Sequence, residues 1–168
     1  KPNPLSYYGL SKLRSEQLLE SHDVECTVLR TIIVFGVGEN LSKSNIVLWA
    51  KEMLENGKEM SIIDDQFRAP TLAEDLADAC ISAAKNKALG IFNASGKDIM
   101  SIFEMVEKIG NFYGYCTDNL RRISTDTLNQ KAVRPPKTGF ILDKAINNLG
   151  YSPHSFEECL DIIKKQKQ

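Results

Sequence analysis

No apolar run in the 168 residues approaches the ~20 that a membrane-spanning helix needs, and no leader-like segment precedes the first predicted helix. A membrane partner is therefore not expected. Charge of one sign is also missing: 21 basic residues face 22 acidic ones, and the lysines are spread along the chain, which argues against a nucleic-acid partner. The two histidines and four cysteines form no Cys-x-x-Cys and no metal-ligand spacing, so no metal site is expected. Cys26 and Cys80 lie within apolar patterns, where a thiol acts as a small buried hydrophobe, and unpaired thiols suit the reducing cytoplasm. Gly36-Val37-Gly38 has no third glycine at the spacing of a dinucleotide-binding turn; a turn at a strand end is the simpler reading.

What is present is an ordinary globular composition, 42% apolar and 26% charged, enough for one domain with its own core. Residues 5–20 read as a helix. Residues 27–35 are rich in β-branched and aromatic side chains without clean alternation, which predicts one strand covered on both faces. Ser44 and Asn45 can cap a helix running to about Asn56, with Ile46, Val47, Trp49, Ala50, Met53 and Leu54 inward and Gly57 ending it. Residues 60–64 form a short strand. The pattern Thr71-Leu72-Ala73-Glu74 has the form of a capping box opening a helix to about Lys85, whose apolar face would be Leu72, Leu76, Ala77, Cys80, Ile81 and Ala84. A strand at 90–96, a helix at 98–113 with a second box at Ser101 and Glu104, a brief strand at 121–124, a helix at 143–149 stopped by Gly150, and a last helix capped by Ser155 complete the chain. Strand and helix alternate throughout, which predicts an α/β fold.

Tyr8 and Lys12 stand four residues apart on the first helix, so phenol and ammonium share one face. An adjacent cation favours the phenolate, and a phenol so tuned can give a proton to a carbonyl oxygen or take one back. The spacing alone says little, since with five tyrosines a Tyr-x-x-x-Lys pair arises by chance about 0.45 times in such a chain. Its surroundings are more specific. Asn3-Pro4, Gly9, Ser11 and Glu16 together resemble the active-site helix of the extended short-chain dehydrogenase/reductases that act on nucleotide sugars.

The order of later segments narrows the resemblance. Leu29-Arg30-Thr31, Val34-Phe35-Gly36, Asn45, Asp64-Asp65-Gln66-Phe67-x-x-Pro70-Thr71, Asp75-Leu76-Ala77, Arg134-Pro135 and Leu142-Asp143 follow one another as in the carboxyl-terminal half of the dTDP-4-dehydrorhamnose reductases and their close relatives. The resemblance implies a partial Rossmann-type fold: the carboxyl-terminal part of a parallel sheet plus a small substrate-binding lobe. Residues 1–36 would be the last elements of the dinucleotide-binding fold, and residues 37–168 mainly the lobe, with some segments returning to the sheet. It further implies a nicotinamide cofactor, NADP or NAD, contacted by Tyr8 and Lys12, with Tyr8 as proton donor to a keto sugar. Ile33, Asn45, Gln66, Arg68, Thr71 and Arg134 fall where the family contacts its nucleotide-sugar substrate. Asn45 and Thr71 read equally well as helix caps. Arg30 and Arg134 suit either a pyrophosphate or structural ion pairs.

Two departures bear on function. Ile32-Ile33 stands where these reductases tend to have Ser-Trp, and Arg68 where they tend to have glycine, which implies a different sugar or nucleotide. The glycine-rich phosphate turn of such a reductase and the Ser or Thr that polarises the substrate carbonyl upstream of the active-site helix are absent, so the chain reads as a piece of a longer protein, inactive alone and expected to self-associate as a homodimer. An epimerase or dehydratase would use the same Tyr8 and Lys12. A catalytically silent relative that regulates a partner enzyme is the reading from another class.

Overall fold

The structure, a computed structural model, describes residues 2–22, 24–38, 45–128 and 134–166. Helix α1 (Tyr7–Ser21) begins two residues later than the pattern predicts, because Ser6 stays extended and its side chain accepts from the Gly9 N–H. None of its residues is buried.

The stretch 27–35 is not one strand. It divides into β1 (Thr27–Arg30) and β2 (Val34–Phe35), and the break is at Ile33, whose φ is +36°. β1 runs parallel to β6 (Gly90–Asn93), whereas β2 runs parallel to β5 (Thr71–Leu72). A change of partner requires a change of direction, and a run of β-branched residues gives no sign of it. β1 is half-buried along its length rather than covered on both faces.

Helix α2 (Ile46–Glu55) is capped by Asn45, which accepts from Leu48 N–H at 3.1 Å; Ser44, the other expected cap residue, lies outside the described residues. Val47, Ala50 and Leu54 face inward, but Trp49 is 38% exposed, contrary to expectation. They join β3 (Met60–Ile63), helix α4 (Ile102–Tyr113) and helix α6 (Phe156–Gln166) in the larger core, around Phe35, Leu72, Met105, Ile109, Leu160 and Ile163. β3 pairs in parallel with β8 (Leu120–Ile123), and β4 (Phe67–Arg68) pairs antiparallel with β7 (Met100–Ser101). The capping box at Ser101 and Glu104 forms as expected, although the helix starts at Ile102 because Met100 and Ser101 are taken up by β7. Ser155 and Glu158 form the same reciprocal pair at the start of α6.

Helix α3 (Ala73–Lys85) shows two corrections. Thr71 does not cap it; its hydroxyl donates to Ile32 O at 2.6 Å, and Leu72 takes the cap position without a side-chain bond. The buried face is Asp75, Ala79 and Ala83, not Ala77, Cys80, Ile81 and Ala84, which are exposed. The helix is rotated by a polar anchor: the Asp75 carboxylate accepts His154 N–H at 2.9 Å and lies 2.5 Å from His154 Nδ1. Cys80 is consequently exposed and Cys26 half-buried, while Cys159 is the buried thiol. Ala79 and Ala83 meet Phe92, Tyr151, and Ala145 and Leu149 of helix α5 (Asp143–Leu149) in a second, smaller core beside β1 and β6.

Candidate functional site

Tyr8 and Lys12 are brought together as their spacing predicts: Lys12 Nζ lies 5.3 Å from the centroid of the Tyr8 ring, and Tyr8 is 73% exposed. Gly9 keeps this first turn slim, since a Cβ there would come within 3.3 Å of Pro4 Cβ. Ser11 turns its hydroxyl back to Tyr8 O at 2.8 Å. Lys12 forms no ion pair among the described residues. Farther along α1, Glu16 receives both Nε (2.8 Å) and Nη2 (2.5 Å) of Arg30, which fixes the helix to the end of β1. Those bonds hold the Glu16 carboxyl below its usual range despite partial burial. The pyrophosphate role considered for Arg30 gives way to an ion pair.

A second group gathers on β4. Arg68 is buried; its Nη1 donates to Phe67 O (2.6 Å) and Pro136 O (3.3 Å), and its Nη2 to Gln66 Oε1 at 2.9 Å. Gln66 Nε2 donates to Thr125 Oγ1 at 3.0 Å, and Thr125 Oγ1 to Asp65 Oδ1 at 2.6 Å. This polar chain leads from a buried cation to an exposed carboxylate. Burial pulls the Arg68 guanidinium below its usual range, and the neighbouring positive charge of Arg134 adds to the shift. No carboxylate pairs with Arg68 or Arg134 among the described residues. The segment carrying Arg134 is held to β4 by Phe67 N–H to Pro136 O (2.7 Å) and Thr138 N–H to Phe67 O (2.9 Å). Two guanidiniums whose charges act on each other, with no carboxylate partner among the described residues, fit an anionic ligand.

Ile33 and Thr71 meet at the joint between β1 and β2, and Asn45 is bonded just past the other end of β2. Thr71 N–H donates to Ile33 O at 3.0 Å, and Asn45 Nδ2 donates to Gly36 O at 2.8 Å while its Oδ1 caps α2. Thr71 is fully buried, so its hydroxyl is enclosed by protein. Sequence reasoning did not find the influence of Arg134 on Arg68, nor the links Gln66 to Arg68 and Glu16 to Arg30. An open cleft of about 580 Å³ lies elsewhere, between α1 and the β1–β6 pair, lined by Leu13, Glu16, Leu19, Val24, Val28 and Ile91 among others. Neither Tyr8, Lys12 nor Arg68 lines it. No cluster of three or more metal-ligating side chains occurs among the described residues.

The family profile described as the RmlD substrate binding domain matches residues 1–168. The chain belongs to that family. It is 30% identical over 158 residues to the spore coat polysaccharide biosynthesis protein SpsK of Bacillus subtilis (strain 168), covering 94% of this chain and 53% of that protein. It is 31% identical over 140 residues to methionine adenosyltransferase 2 subunit beta of Danio rerio, covering 80% and 43%. Its fold superposes with a TM-score of 0.88, at 24% identity, on a dTDP-4-dehydrorhamnose reductase of Bacillus anthracis str. Ames solved with NADP, over 99% of this chain and 57% of that one. The RmlD-type chain thus spans about half the length of the curated relatives it matches. The resemblance carried by Tyr8-Gly9-x-Ser11-Lys12 and Asp65-Gln66-Phe67-x-x-Pro70-Thr71 identified the same family.

Proposed function

We propose that the protein is the substrate-side part of a nicotinamide-dependent reductase that acts on the keto group of a nucleotide-linked deoxysugar. The observation that carries this reading is the exposed Tyr8 and Lys12 pair, set one helical turn apart, with no carboxylate paired with the lysine among the described residues. These residues fit the nicotinamide ribose end of NADP or NAD; nothing in the chain has the form of the phosphate turn. Bound there, the cofactor supplies hydride to the carbonyl carbon. Tyr8 gives its hydroxyl proton to the carbonyl oxygen, and Lys12 stabilises the phenolate left behind.

Arg68 and Arg134 take the anionic part of the sugar nucleotide, Gln66 orients it through the amide chain that ends at Asp65, and Ile33 replaces an aromatic wall with an aliphatic one. Asn45 shapes the same edge through its bond to Gly36 O. In this reading residues 1–36 close the nucleotide-binding fold, β6 returns to it beside β1, and most of 37–168 forms the substrate lobe. Two features support a homodimer: α1 buries none of its residues, and Leu18 is 60% exposed. The four unpaired cysteines suit the cytoplasm.

A second reading is favoured by the 31% identity to a methionine adenosyltransferase subunit: a silent relative that regulates a partner enzyme. Cofactor oxidation by the full-length gene product, with a panel of nucleotide-linked 4-keto sugars, separates the two. Stoichiometric oxidation with any of them supports the reductase. No oxidation with any, together with a stable complex with a methionine adenosyltransferase, supports the subunit.

A further inference from the structure

The left-handed backbone of Ile33 has no explanation in local sequence. A β-branched residue at φ +36° is a strained conformation that persists only where the surroundings impose it. The hydrogen bonds to this joint converge on Thr71. Thr71 N–H donates to Ile33 O at 3.0 Å, its Oγ1 donates to Ile32 O at 2.6 Å, and the same oxygen accepts Gly96 N–H at 3.3 Å. Thr71 is 0% exposed and therefore bonded entirely within the protein. It joins three segments: the β1–β2 joint, the start of β5 and the turn after β6.

The joint lies between the two groups of the site. On one side β1 is tied to α1 by Arg30 and Glu16, and α1 carries Tyr8 and Lys12. On the other, Arg68 stands three residues before Thr71 and holds Gln66. We propose that Thr71 is a positioning residue: its hydroxyl and N–H clamp Ile33 in the left-handed conformation, and this bent joint sets where Tyr8 and Lys12 stand relative to Gln66 and Arg68. The proposal rests on the reductase reading for its effect on turnover, and on geometry alone for the clamp. Thr71 thus acts on the substrate through Ile33 and the joint, without touching it.

Two measurements test it. In this chain, the intraresidue HN–Hα cross-peak of Ile33 in a proton NMR spectrum is strong for a positive φ. It should weaken in Thr71→Val, which keeps the shape and loses the hydroxyl, and return in Thr71→Ser. In the full-length product, Thr71→Val should lose about 10²-fold in kcat/KM for a dTDP-linked 4-keto sugar, the scale of an ångström-size misplacement. NADPH affinity should stay unchanged, and Thr71→Ser should recover most of the loss. A strong Ile33 cross-peak in folded Thr71→Val, or a kcat/KM equal to wild type, overturns the proposal. If no form of the protein turns over any sugar nucleotide, the reductase reading falls and the cross-peak by itself decides the clamp.

Discussion

Arg30 grips both carboxylate oxygens of Glu16, at 2.8 and 2.5 Å, and this ion pair holds a helix that buries none of its own side chains. Glu16→Gln should therefore loosen α1 by about 1 kcal/mol, since the arginine is 37% exposed and solvent screens the pair. The pH dependence follows from the lowered pKa of Glu16. The Arg30 bonds hold the folded Glu16 carboxyl below its ordinary value of 4.5, so the contribution is complete above that value and is lost as pH falls through the folded one. The gap in denaturation midpoint between wild type and Glu16→Gln should be constant at neutral pH and close in acid.

Gly96 lies against the backbone of Pro70, and a Cβ there would overlap the Pro70 carbonyl oxygen. Since neither backbone is free to yield, Gly96→Ala should cost more than ~3 kcal/mol in urea denaturation. Gly57→Ala makes the contrast: its φ is +61° but the space around it is open, so only the backbone penalty of about 1 kcal/mol applies.

Helix α5 was legible residue for residue, because Asp143 opens it, Gly150 ends it with φ +67°, and seven residues leave little room for error. The box at Ser101 was legible for the same kind of reason: both partners lie within one turn. The face of α3 was not, since Ala77, Cys80, Ile81 and Ala84 are as apolar as the face that is buried, and the choice was made by Asp75 meeting His154 from the far end of the chain. Ile33 was illegible because its bend is imposed by Thr71, 38 positions on, rather than by its own preference. At the site, Tyr8 with Lys12 could be read from helical spacing, whereas the segment that brings the charge of Arg134 to bear on Arg68 reaches β4 through the pairing of Phe67 with Lys137.

Arg68 and Arg134 give a salt-sensitive prediction. If the pair receives the anionic part of the substrate, Arg68→Met should weaken binding of dTDP-glucose to the full-length product by ~1.5–3 kcal/mol, the worth of a charge-assisted hydrogen bond. Wild-type affinity should fall as salt rises, and less steeply in the variant. Calorimetry at two ionic strengths measures both, and equal affinities would remove Arg68 from the site.

The 168-residue chain by itself should not bind NADPH appreciably, because Tyr8 and Lys12 reach only the nicotinamide end of the cofactor. Calorimetric titration should show no heat of binding in the micromolar range. A micromolar Kd, about −8 kcal/mol, would mean that the phosphates are held by residues other than a glycine-rich turn.

If Tyr8 donates the proton in carbonyl reduction, Tyr8→Phe in the full-length product removes that donor with the loss of one oxygen atom. Steady-state oxidation of NADPH by a nucleotide-linked 4-keto sugar should fall ~10²- to 10⁴-fold in kcat, the usual contribution of a general acid, with cofactor affinity nearly intact. A Tyr8→Phe enzyme that keeps half its turnover would show that the proton comes from elsewhere.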